Sequence, residues 1–245
     1  MLTVIIITKN EELNIKRCLT AVQWAEEIIV VDSGSTDRTV SIAQQYTNKV
    51  YVTDWQGYGI QKQRALAYAS CDWVLNIDAD EEVDSQLQQA IIAAIKSNAA
   101  DAYRIPIQMY FYGKPLWHSS SPTRHVRLFR RSDASFSASI VHEQIILPAN
   151  AKIGRIKAVI KHHSFKDLSH ALDKINKYSS YSAKIYLANN KPKSLPVILC
   201  KTTWMFLRCF ILQRGFLDGR AGFLFAIFNA QGTFYRGMKQ FFIDK

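Results

Sequence analysis

The sequence is poor in the residues that mark disulfide-rich, zinc-binding or low-complexity proteins. It has four cysteines in 245 residues, at positions 18, 71, 200 and 209, and no two of them have the C-x-x-C spacing of a zinc site. Ten glycines and six prolines form no repeat and no linker-like run. We therefore expect neither a disulfide framework nor a cysteine-ligated metal, and a reducing cytoplasm suits this chain.

Several segments that would define other protein classes are also missing. Residues 1–7 lack the basic start and the cleavage site of a signal peptide, and we expect them to form a first strand. The most apolar stretch, 195–217, carries Lys201, Arg208 and Arg214, which favours an in-plane or packed helix over a bilayer span. No strand leads into a G-x-G-x-x-G loop and no P-loop occurs, which argues against a dinucleotide-binding Rossmann site.

Negative charge is scarce in the last quarter of the chain. The net charge is +11, and from Lys184 to Lys245 ten basic residues face only Asp218 and Asp244, so +8 of that charge lies there. Nine of the thirteen phenylalanines follow Trp204. Basic residues mixed with large apolar ones predict contact with an anionic membrane surface. The alternative is a helical appendage that packs on the main domain with its lysines and arginines in water.

Strands and helices alternate over the first 100 residues. Uninterrupted apolar runs indicate strands that are buried on both faces, and apolar residues at helical spacing indicate amphipathic helices. The predicted strands cover residues 3–8, 27–32, 50–53 and a run that ends at Asp78, and the predicted helices contain Ile15, Val40, Ile60 and Leu87. Such alternation predicts parallel strands whose carboxyl ends form a ligand site.

The pattern changes after Asp101. We predict strands at 103–112, 125–131 and 153–163, the first of them an edge or bulged strand because it contains Pro106. A long helix is predicted for 168–190. One face of this helix would carry Leu172, Ile175, Ser179 and Ser182.

The acidic triplet Asp78-Ala79-Asp80 is the most informative feature of the chain. It ends the apolar run 73–77 and is followed directly by Glu81 and Glu82. Two carboxylates one residue apart repel each other, and a divalent cation between them and a phosphate relieves that repulsion. Hard oxygen ligands suit Mg²⁺ or Mn²⁺. The alternative is a solvated acidic turn that caps the next helix.

Six motifs in order along the chain carry a family resemblance. They are TKNE at 8–11, VVDSGSTDRT at 30–39, the segment 57–64, DWVLNIDADEE at 72–82, RLFRR at 127–131 and VHE at 141–143. Together they resemble family 2 glycosyltransferases with the GT-A fold. More narrowly, the chain resembles bacterial lipopolysaccharide core β-glucosyltransferases, and the resemblance extends to GFLDGRAG at 215–222.

The resemblance implies an α/β GT-A fold, which is a Rossmann-like mixed sheet flanked by helices. The glycosyltransferase domain would be 1–165, with a nucleotide-sugar half at 1–100 and an acceptor half at 101–165. Residues 166–245 would form a helical, basic and aromatic appendage that associates with the membrane.

The resemblance also implies a set of donor-site residues. The candidates for binding the nucleotide sugar are Thr8, Asn10, Glu11, Asp32, Ser33, Ser35, Lys62, Arg64, Asp78, Ala79 and Asp80. Asp80 would bind the metal most directly and Asp78 the ribose or a metal-bound water. His163, or its neighbour His162, would be a third ligand, and a buried, hydrogen-bonded histidine is the alternative. Arg64 has the alternative of pairing with an acid on its own helix.

The catalytic and acceptor residues follow from the later motifs. Glu143 would be the base that takes the proton of the acceptor hydroxyl, with Asp80 holding the metal. Candidate acceptor contacts are Arg124, Arg127, Trp117 and His142. Each has an ordinary alternative: a solvated basic strand for the arginines, loop packing for Trp117, and a plain strand position or a contact that orients Glu143 for His142.

These residues predict an inverting, metal-dependent enzyme that transfers a hexose, glucose in the narrower family, from a UDP-sugar. The acceptor would be a lipid-linked saccharide, the inner-core heptose of lipopolysaccharide, at the inner face of the cytoplasmic membrane. Another cell-surface polysaccharide or lipid acceptor is the alternative. A nucleotidyltransferase, a glycoside hydrolase and a basic membrane- or nucleic-acid-binding scaffold are weaker alternatives, and we expect no specific nucleic acid partner.

Overall fold

The computed structural model describes residues 1–111, 113–120, 123–132, 134–138, 143–163, 168–188 and 192–242. The chain forms two compact units. The first contains residues 1–107 and 123–162, and the second contains residues 108–122 and 163–245. Residues 108–122, which lie inside the predicted domain 1–165, thus belong to the second unit.

The strands are short except where they form the core of the sheet. In chain order they are β1 Leu2–Thr8, β2 Glu27–Asp32, β3 Val50–Val52, β4 Trp73–Asp78, β5 Glu81–Glu82, β6 Ala102–Phe111, β7 Lys114–Pro115, β8 Thr123–Arg130, β9 Ser135–Phe136, β10 Ile145–Ile146, β11 Ile153–Arg155 and β12 Ile160–His162. The helices are α1 Ile15–Thr20, α2 Thr39–Ala43, α3 Tyr58–Tyr68, α4 Ser85–Ser97, α5 Leu168–Leu187, α6 Leu195–Leu207 and α7 Gly219–Phe242.

The main sheet is mixed, and its order is β3-β2-β1-β4-β8-β6-β12-β5. The pairs β1–β2, β1–β4 and β2–β3 are parallel, whereas β4–β8 and β6–β8 are antiparallel. β1 is buried on both faces. Side chains alternate along a strand, so successive residues of β1 enter different apolar clusters. Val4 and Ile6 join one apolar cluster with Leu19, and Ile5 and Ile7 join another with Leu66.

The parallel register brings polar residues to one edge of the sheet. Thr8 lies opposite Asp32 at the ends of β1 and β2, and Ile7 lies opposite Asp78 at the end of β4. The short strand β5 then pairs with β12, which sets His162 opposite Glu81. The acidic triplet is therefore bounded by strands on both sides.

Two predicted strands differ from those in the structure. Residues 153–163 form two strands, because Ile153–Arg155 pairs with β6 whereas Ile160–His162 pairs with β5. β6 lies between β8 and β12, so the strand that contains Pro106 is not at the edge. The predicted bulge is present, but between Tyr103 and Arg104. Pro106 lies opposite Arg124 of β8 and has no N–H to donate, so the interior ladder lacks one possible hydrogen bond there.

The second unit is built on helices α5, α6 and α7. A π-helical turn, Arg208–Leu212, and a 3₁₀ turn, Gly215–Asp218, connect the last two of them. Its buried apolar cluster consists of Phe111, Leu116, Ala171, Ala221 and Phe228. α5 buries Ala171, Ser179 and Ala183, whereas Leu172 of the predicted face is 43% exposed.

One helical stretch among the described residues, Leu195–Leu212, is long and apolar enough by length and composition to cross a membrane. Only 11% of this stretch is buried inside the structure. Its 18 residues rise about 27 Å at 1.5 Å per residue, slightly less than the hydrocarbon layer of about 30 Å. The stretch therefore presents most of its apolar side chains at the surface of the second unit.

Candidate active site

Two buried cations hold the acidic turn that follows β4. Arg127 Nη2 donates to Asp78 Oδ2 at 3.2 Å and to Glu81 Oε1 at 2.8 Å, and Lys62 Nζ lies 3.1 Å from Asp78 Oδ1. The side chains of Arg127 and Lys62 are 8% and 5% exposed. Glu81 also accepts from the backbone N–H of Asp78 at 2.8 Å, so the turn is fixed from inside.

The two carboxyls of this turn have opposite pKa shifts. Burial opposes ionisation of Asp78, but Lys62 and Arg127 outweigh it and hold its pKa well below the usual range. Burial, helped by the charge of Asp78, raises the pKa of Glu81 to about 7 despite Arg127. Asp78 is therefore ionised at neutral pH, and Glu81, 1% exposed, is the internal support of the turn.

Lys62 also reaches the candidate base. Its Nζ lies 2.6 Å from Glu143 Oε1, while the same nitrogen pairs with Asp78. The Glu143 side chain is 19% exposed, which leaves it open to a substrate. The fold thus joins residues far apart in the sequence, because α3 carries Lys62 to the end of β4 and to the segment before β10.

Asp80 has a histidine beside it. His162 Nε2 lies 3.1 Å from Asp80 Oδ2, because the pairing of β12 with β5 brings the histidine to the acidic turn. Of the two candidate histidines, the structure thus brings His162 to Asp80. The ring of His163 packs on Tyr110 with centroids 5.1 Å apart, in the second unit.

The acidic turn offers ligands to a divalent cation. Asp78, Glu81 and Glu143 pair with the buried cations Lys62 and Arg127, and Asp80 lies beside His162. In the described part of the chain, no group of three or more His, Cys, Asp or Glu side chains forms a ready-made metal site. Asp80 with His162 offers a partial ligand set, which fits Mg²⁺ or Mn²⁺ because such ions take further ligands from substrate phosphates and water.

The turn after β2 is organised by Asp32. Its carboxylate, fully buried, accepts from the backbone N–H groups of Gly34 at 2.9 Å and Ser35 at 2.7 Å, and from the hydroxyl of Ser35. Ser35 in turn accepts from the backbone N–H of Asn10 at 2.8 Å. The predicted nucleotide residues after β1 and β2 are therefore one hydrogen-bonded unit.

The neighbouring residues of β1 and its loop differ in what they offer a ligand. Thr8 Oγ1 is buried and has no hydrogen-bond partner within the described residues, which suits a ligand group at that place. Asn10 adopts a left-handed backbone with φ 56° and accepts from Thr36 N at 2.8 Å. The Glu11 carboxylate accepts from the side-chain amide of Asn14 at 2.7 Å, so it supports the start of α1.

Arg64 is paired with an acid, as its alternative interpretation expected, but the acid is not on its own helix. Its guanidinium lies 2.9 Å from Asp54 Oδ1 and donates to the Asp54 carbonyl at 2.7 Å. Gln61, fully buried, donates to Ser33 Oγ at 2.8 Å and accepts from Arg64 at 2.9 Å. Arg64 thus holds Gln61, which in turn holds Ser33.

The candidate acceptor residues lie in different places. Arg124 is exposed on β8, whereas Arg127 is buried and holds Asp78 and Glu81, a different role from the acceptor contact predicted for it. Trp117 is 56% exposed and belongs to the second unit. His142 lies outside the described residues.

Sequence reasoning missed Gln61 and Glu81 as parts of the site, and it named His162 and His163 together without choosing between them. Gln61 carries no sequence signal, because a glutamine in a helix is ordinary. Glu81 follows the acidic triplet directly, but only its full burial separates it from the half-buried Glu82, which pairs with Arg17 and Lys161. The choice of His162 over His163 follows from the pairing of β12 with β5, which sets His162 opposite Glu81. The sequence does not show this pairing, because it forms only in the tertiary structure.

Comparison with known proteins agrees with this geometry. Residues 3–148, more than half of the chain, match the family model for glycosyl transferase family 2. An uncharacterised glycosyltransferase of Rickettsia typhi is 35% identical over 243 residues, which cover 94% of this chain and 83% of that protein. The lipopolysaccharide core biosynthesis glycosyltransferase LpsC of Rhizobium meliloti is 29% identical over 97% of this chain and 91% of its own.

The fold has a counterpart of known structure. Residues 1–349 of S. aureus TarS, solved in complex with UDP, superpose with a TM-score of 0.51 at 18% identity, covering 98% of this chain and 90% of that one. This likeness confirms the predicted GT-A fold, in which a mixed sheet is flanked by helices. Since the family model matches most of the first unit and the relatives align along nearly the whole length, the protein belongs to glycosyltransferase family 2.

Proposed function

We propose that this enzyme is inverting and metal-dependent, and that it transfers a hexose, glucose, from a UDP-sugar to a lipid-linked saccharide. The acceptor we favour is the inner-core heptose of lipopolysaccharide, because LpsC is named for lipopolysaccharide core biosynthesis. TarS was solved with UDP, which supports the same nucleotide here. The observation that carries the proposal is the bridge from Glu143 through Lys62 to Asp78.

In the proposed reaction Glu143 is the base. Its carboxylate takes the proton of the acceptor hydroxyl as that oxygen bonds to the anomeric carbon of the donor. The bond from this carbon to the diphosphate oxygen breaks at the same time, and UDP leaves with the electron pair. Lys62 Nζ lies 2.6 Å from Glu143 Oε1 and so holds the carboxylate in place for this step.

The donor half of the site has three tasks in this scheme. Asp32 and its turn would hold the nucleoside, Asp78 would contact the ribose, and Asp80 with His162 would hold Mg²⁺ or Mn²⁺. When bound, the cation would neutralise the charge of the departing diphosphate. Lys62 and Arg127 keep Asp78 ionised, and Arg127 also fixes the turn, which presets these groups before the donor arrives.

The first test is calorimetric titration with UDP, with and without Mn²⁺. We expect wild-type protein to bind UDP more tightly with Mn²⁺, and Asp80→Ala to lose that gain. Asp72→Ala, which removes an exposed carboxylate of the same unit, is the matched control and keeps wild-type binding. Failure of the wild-type protein to bind UDP under either condition would remove the donor assignment.

The inverting mechanism has its own test. Proton coupling constants of the product, measured by NMR, give the configuration of the new glycosidic bond. An α-linked UDP-sugar should yield a β-linked product. Retention of the α configuration would contradict the role of Glu143 as a base.

We also propose that the enzyme works on the inner face of the cytoplasmic membrane. The stretch from α6 to the 3₁₀ turn exposes large apolar side chains, and we name this surface the apolar face. Its members, from 38% to 62% exposed, are Leu195, Val197, Leu199, Trp204, Leu207, Ile211, Leu212, Phe216 and Leu217. Lys201, Arg208 and Arg214 are exposed among them, so the surface combines apolar area with positive charge, as anionic lipid requires.

A further inference from the structure

The motif GFLDGRAG contains a buried carboxylate that the donor site does not use. The side chain of Asp218 is 2% exposed. It accepts from the backbone N–H groups of Trp117 at 3.0 Å, His118 at 3.1 Å and Ser119 at 2.8 Å. The hydroxyl of Ser119 and Nδ1 of His118, at 3.1 Å, complete five contacts to the one carboxylate.

Three consecutive backbone N–H groups directed at one anion form a rigid arrangement. A buried charge is costly unless it is hydrogen-bonded, and here the contacts compensate it. Burial opposes ionisation of Asp218, but the bonds from Ser119 and His118 outweigh it and lower its pKa. The carboxylate therefore stays charged and keeps the loop in one conformation.

The glycines around Asp218 make this turn feasible. A Cβ on Gly215 would lie 2.6 Å from the carbonyl oxygen of Cys209, and a Cβ on Gly222 would overlap the carbonyl oxygen of Gly215. Gly219 has φ 60°, a conformation that side chains disfavour. The three glycines of the motif thus allow the backbone conformation that places Asp218.

The loop that Asp218 holds presents two ring side chains. Leu116 is fully buried and Ser119 is 2% exposed, whereas Trp117 between them is 56% exposed. The His118 side chain is 39% exposed and has Nδ1 on Asp218, which fixes the proton there and leaves Nε2 for a ligand. Asp218 fixes the backbone of the loop at Trp117 and His118, so an exposed indole and an imidazole acceptor, adjacent in the sequence, start from a fixed main chain. Such a pair suits an apolar sugar face with a hydroxyl at its edge.

We propose that Trp117 and His118 form a saccharide-binding subsite of the second unit, and that Asp218 is its positioning residue. The ligand class is a neutral pyranose ring of the acceptor glycan, stacked on the Trp117 indole with one hydroxyl donating to His118 Nε2. The inference rests on the proposed function, because it takes the saccharide to be the acceptor. It adds to that function a subsite that does not involve the nucleotide.

The test is saturation-transfer NMR on the full chain, with methyl heptopyranoside as the probe. Wild-type protein should transfer saturation to the ring protons of the probe, and Trp117→Ala should lose most of this signal. Trp204→Ala is the matched control, since Trp204 is equally exposed at 56% and belongs to the same unit. Both variants should keep wild-type affinity for UDP in calorimetry.

The positioning role of Asp218 needs a separate readout. We expect Asp218→Asn to raise the KM for the acceptor about 10-fold or more, as the loss of one preorganised contact of about 1.4 kcal/mol would, with the KM for the UDP-sugar unchanged. His118→Ala keeps the backbone bonds to Asp218, so it tests the subsite even where Asp218→Asn lowers the melting temperature. It should weaken probe binding and lower that temperature less than Asp218→Asn does, because only one of the five contacts to the carboxylate is lost.

Two results would overturn the inference, and they differ from failure of the proposed function. The subsite is wrong if Trp117→Ala or His118→Ala binds the probe like wild-type protein. It is also wrong if wild-type protein binds UDP but does not bind the glycoside. If Trp117→Ala instead loses binding to anionic vesicles and keeps the probe signal, Trp117 belongs to the apolar face. Loss of UDP binding by wild-type protein would count against the proposed function alone.

Discussion

Lys62 is the residue on which the candidate site depends most. It is 5% exposed and lies within ion-pair distance of both Asp78 and Glu143. A buried cation between two carboxylates is costly to remove, because each carboxylate then keeps its desolvation penalty without its partner. Lys62 also links Asp78 of the acidic triplet to Glu143, the candidate base. One substitution therefore tests stability and chemistry together.

We expect Lys62→Met to lower the free energy of unfolding by about 3 kcal/mol and kcat by about 100-fold, the low end for loss of acid–base catalysis. Urea unfolding and steady-state kinetics measure the two effects. Lys96→Met, at an exposed position of α4, is the control and should change the unfolding free energy by less than about 0.5 kcal/mol. A Lys62→Met enzyme with wild-type kcat would show that the contact with Glu143 plays no part in catalysis.

The surroundings of Glu27 predict that the stability of the fold depends on pH. Its side chain, 5% exposed, accepts from Ser70 N at 2.8 Å and from Lys49, Thr3 and the Ser70 hydroxyl. Burial opposes ionisation, but these donors outweigh it and lower the pKa to about 2 from an ordinary 4.5. Because the folded pKa is the lower one, Glu27 stabilises the fold above about pH 4.5, and this stability is lost as the pH falls toward 2.

The loss between pH 6 and pH 3 should be about 2 kcal/mol from this residue alone. Glu27→Gln should lower stability at pH 6 and show a correspondingly flatter dependence over the same interval. Urea unfolding at several pH values measures it. Equal pH dependence in wild-type and variant protein would mean that Glu27 is not the group that titrates.

At the scale of elements, α7 depends on close approach of backbone. An added Cβ at Gly222 would overlap the carbonyl oxygen of Gly215, whereas a Cβ at Gly232 on the same helix meets nothing within 4 Å. The two positions have the same helical backbone and differ in their surroundings. Substitution by alanine therefore separates helix propensity from packing.

Gly222→Ala should destabilise the protein by about 1–3 kcal/mol, since the Gly215–Asp218 turn must shift. Gly232→Ala should leave stability unchanged or raise it by up to about 1 kcal/mol, because alanine is the better helix former. Thermal unfolding of both variants measures the contrast. Equal effects at the two positions would contradict the close contact between the turn and α7.

At the scale of the whole molecule, charge and apolar surface coincide in the second unit. The net charge of +11 is concentrated after Lys184, and the apolar face lies in the same part of the chain. Each lysine or arginine close to an anionic bilayer contributes about 1 kcal/mol. The proposed membrane contact should therefore weaken with added salt.

We expect the protein to cosediment with vesicles that contain phosphatidylglycerol and to bind neutral phosphatidylcholine vesicles more weakly. Lys201→Gln with Arg208→Gln should lower the affinity by about 30-fold, equivalent to about 2 kcal/mol. Lys16→Gln with Lys96→Gln, two exposed lysines of the first unit, is the charge-matched control with wild-type binding. Equal loss in both pairs would indicate attraction by net charge and not by the apolar face.

The amino-acid pattern alone is enough to predict the elements whose signal is local. The apolar runs at 27–32 and 73–78 identified β2 and β4 to the residue or nearly so, because strands buried on both faces need no partner to be recognised. The ordered motifs identified the family and the GT-A fold, which the comparisons confirm. The carboxyl ends of the parallel strands were predicted to lie at one edge of the sheet, and Thr8, Asp32 and Asp78 lie there.

Which charges neutralise one another depends on how the elements pack and could not be predicted from the sequence. Arginine spacing cannot show that Arg127 is buried under the acidic turn while Arg124 is exposed, because burial depends on what packs on β8. The selection of His162 follows from the β5–β12 register, and the contact of Lys62 with Glu143 joins residues 81 positions apart. Local patterns reveal the periodicity of an element, whereas ion pairs depend on distances that exist only after the elements have packed.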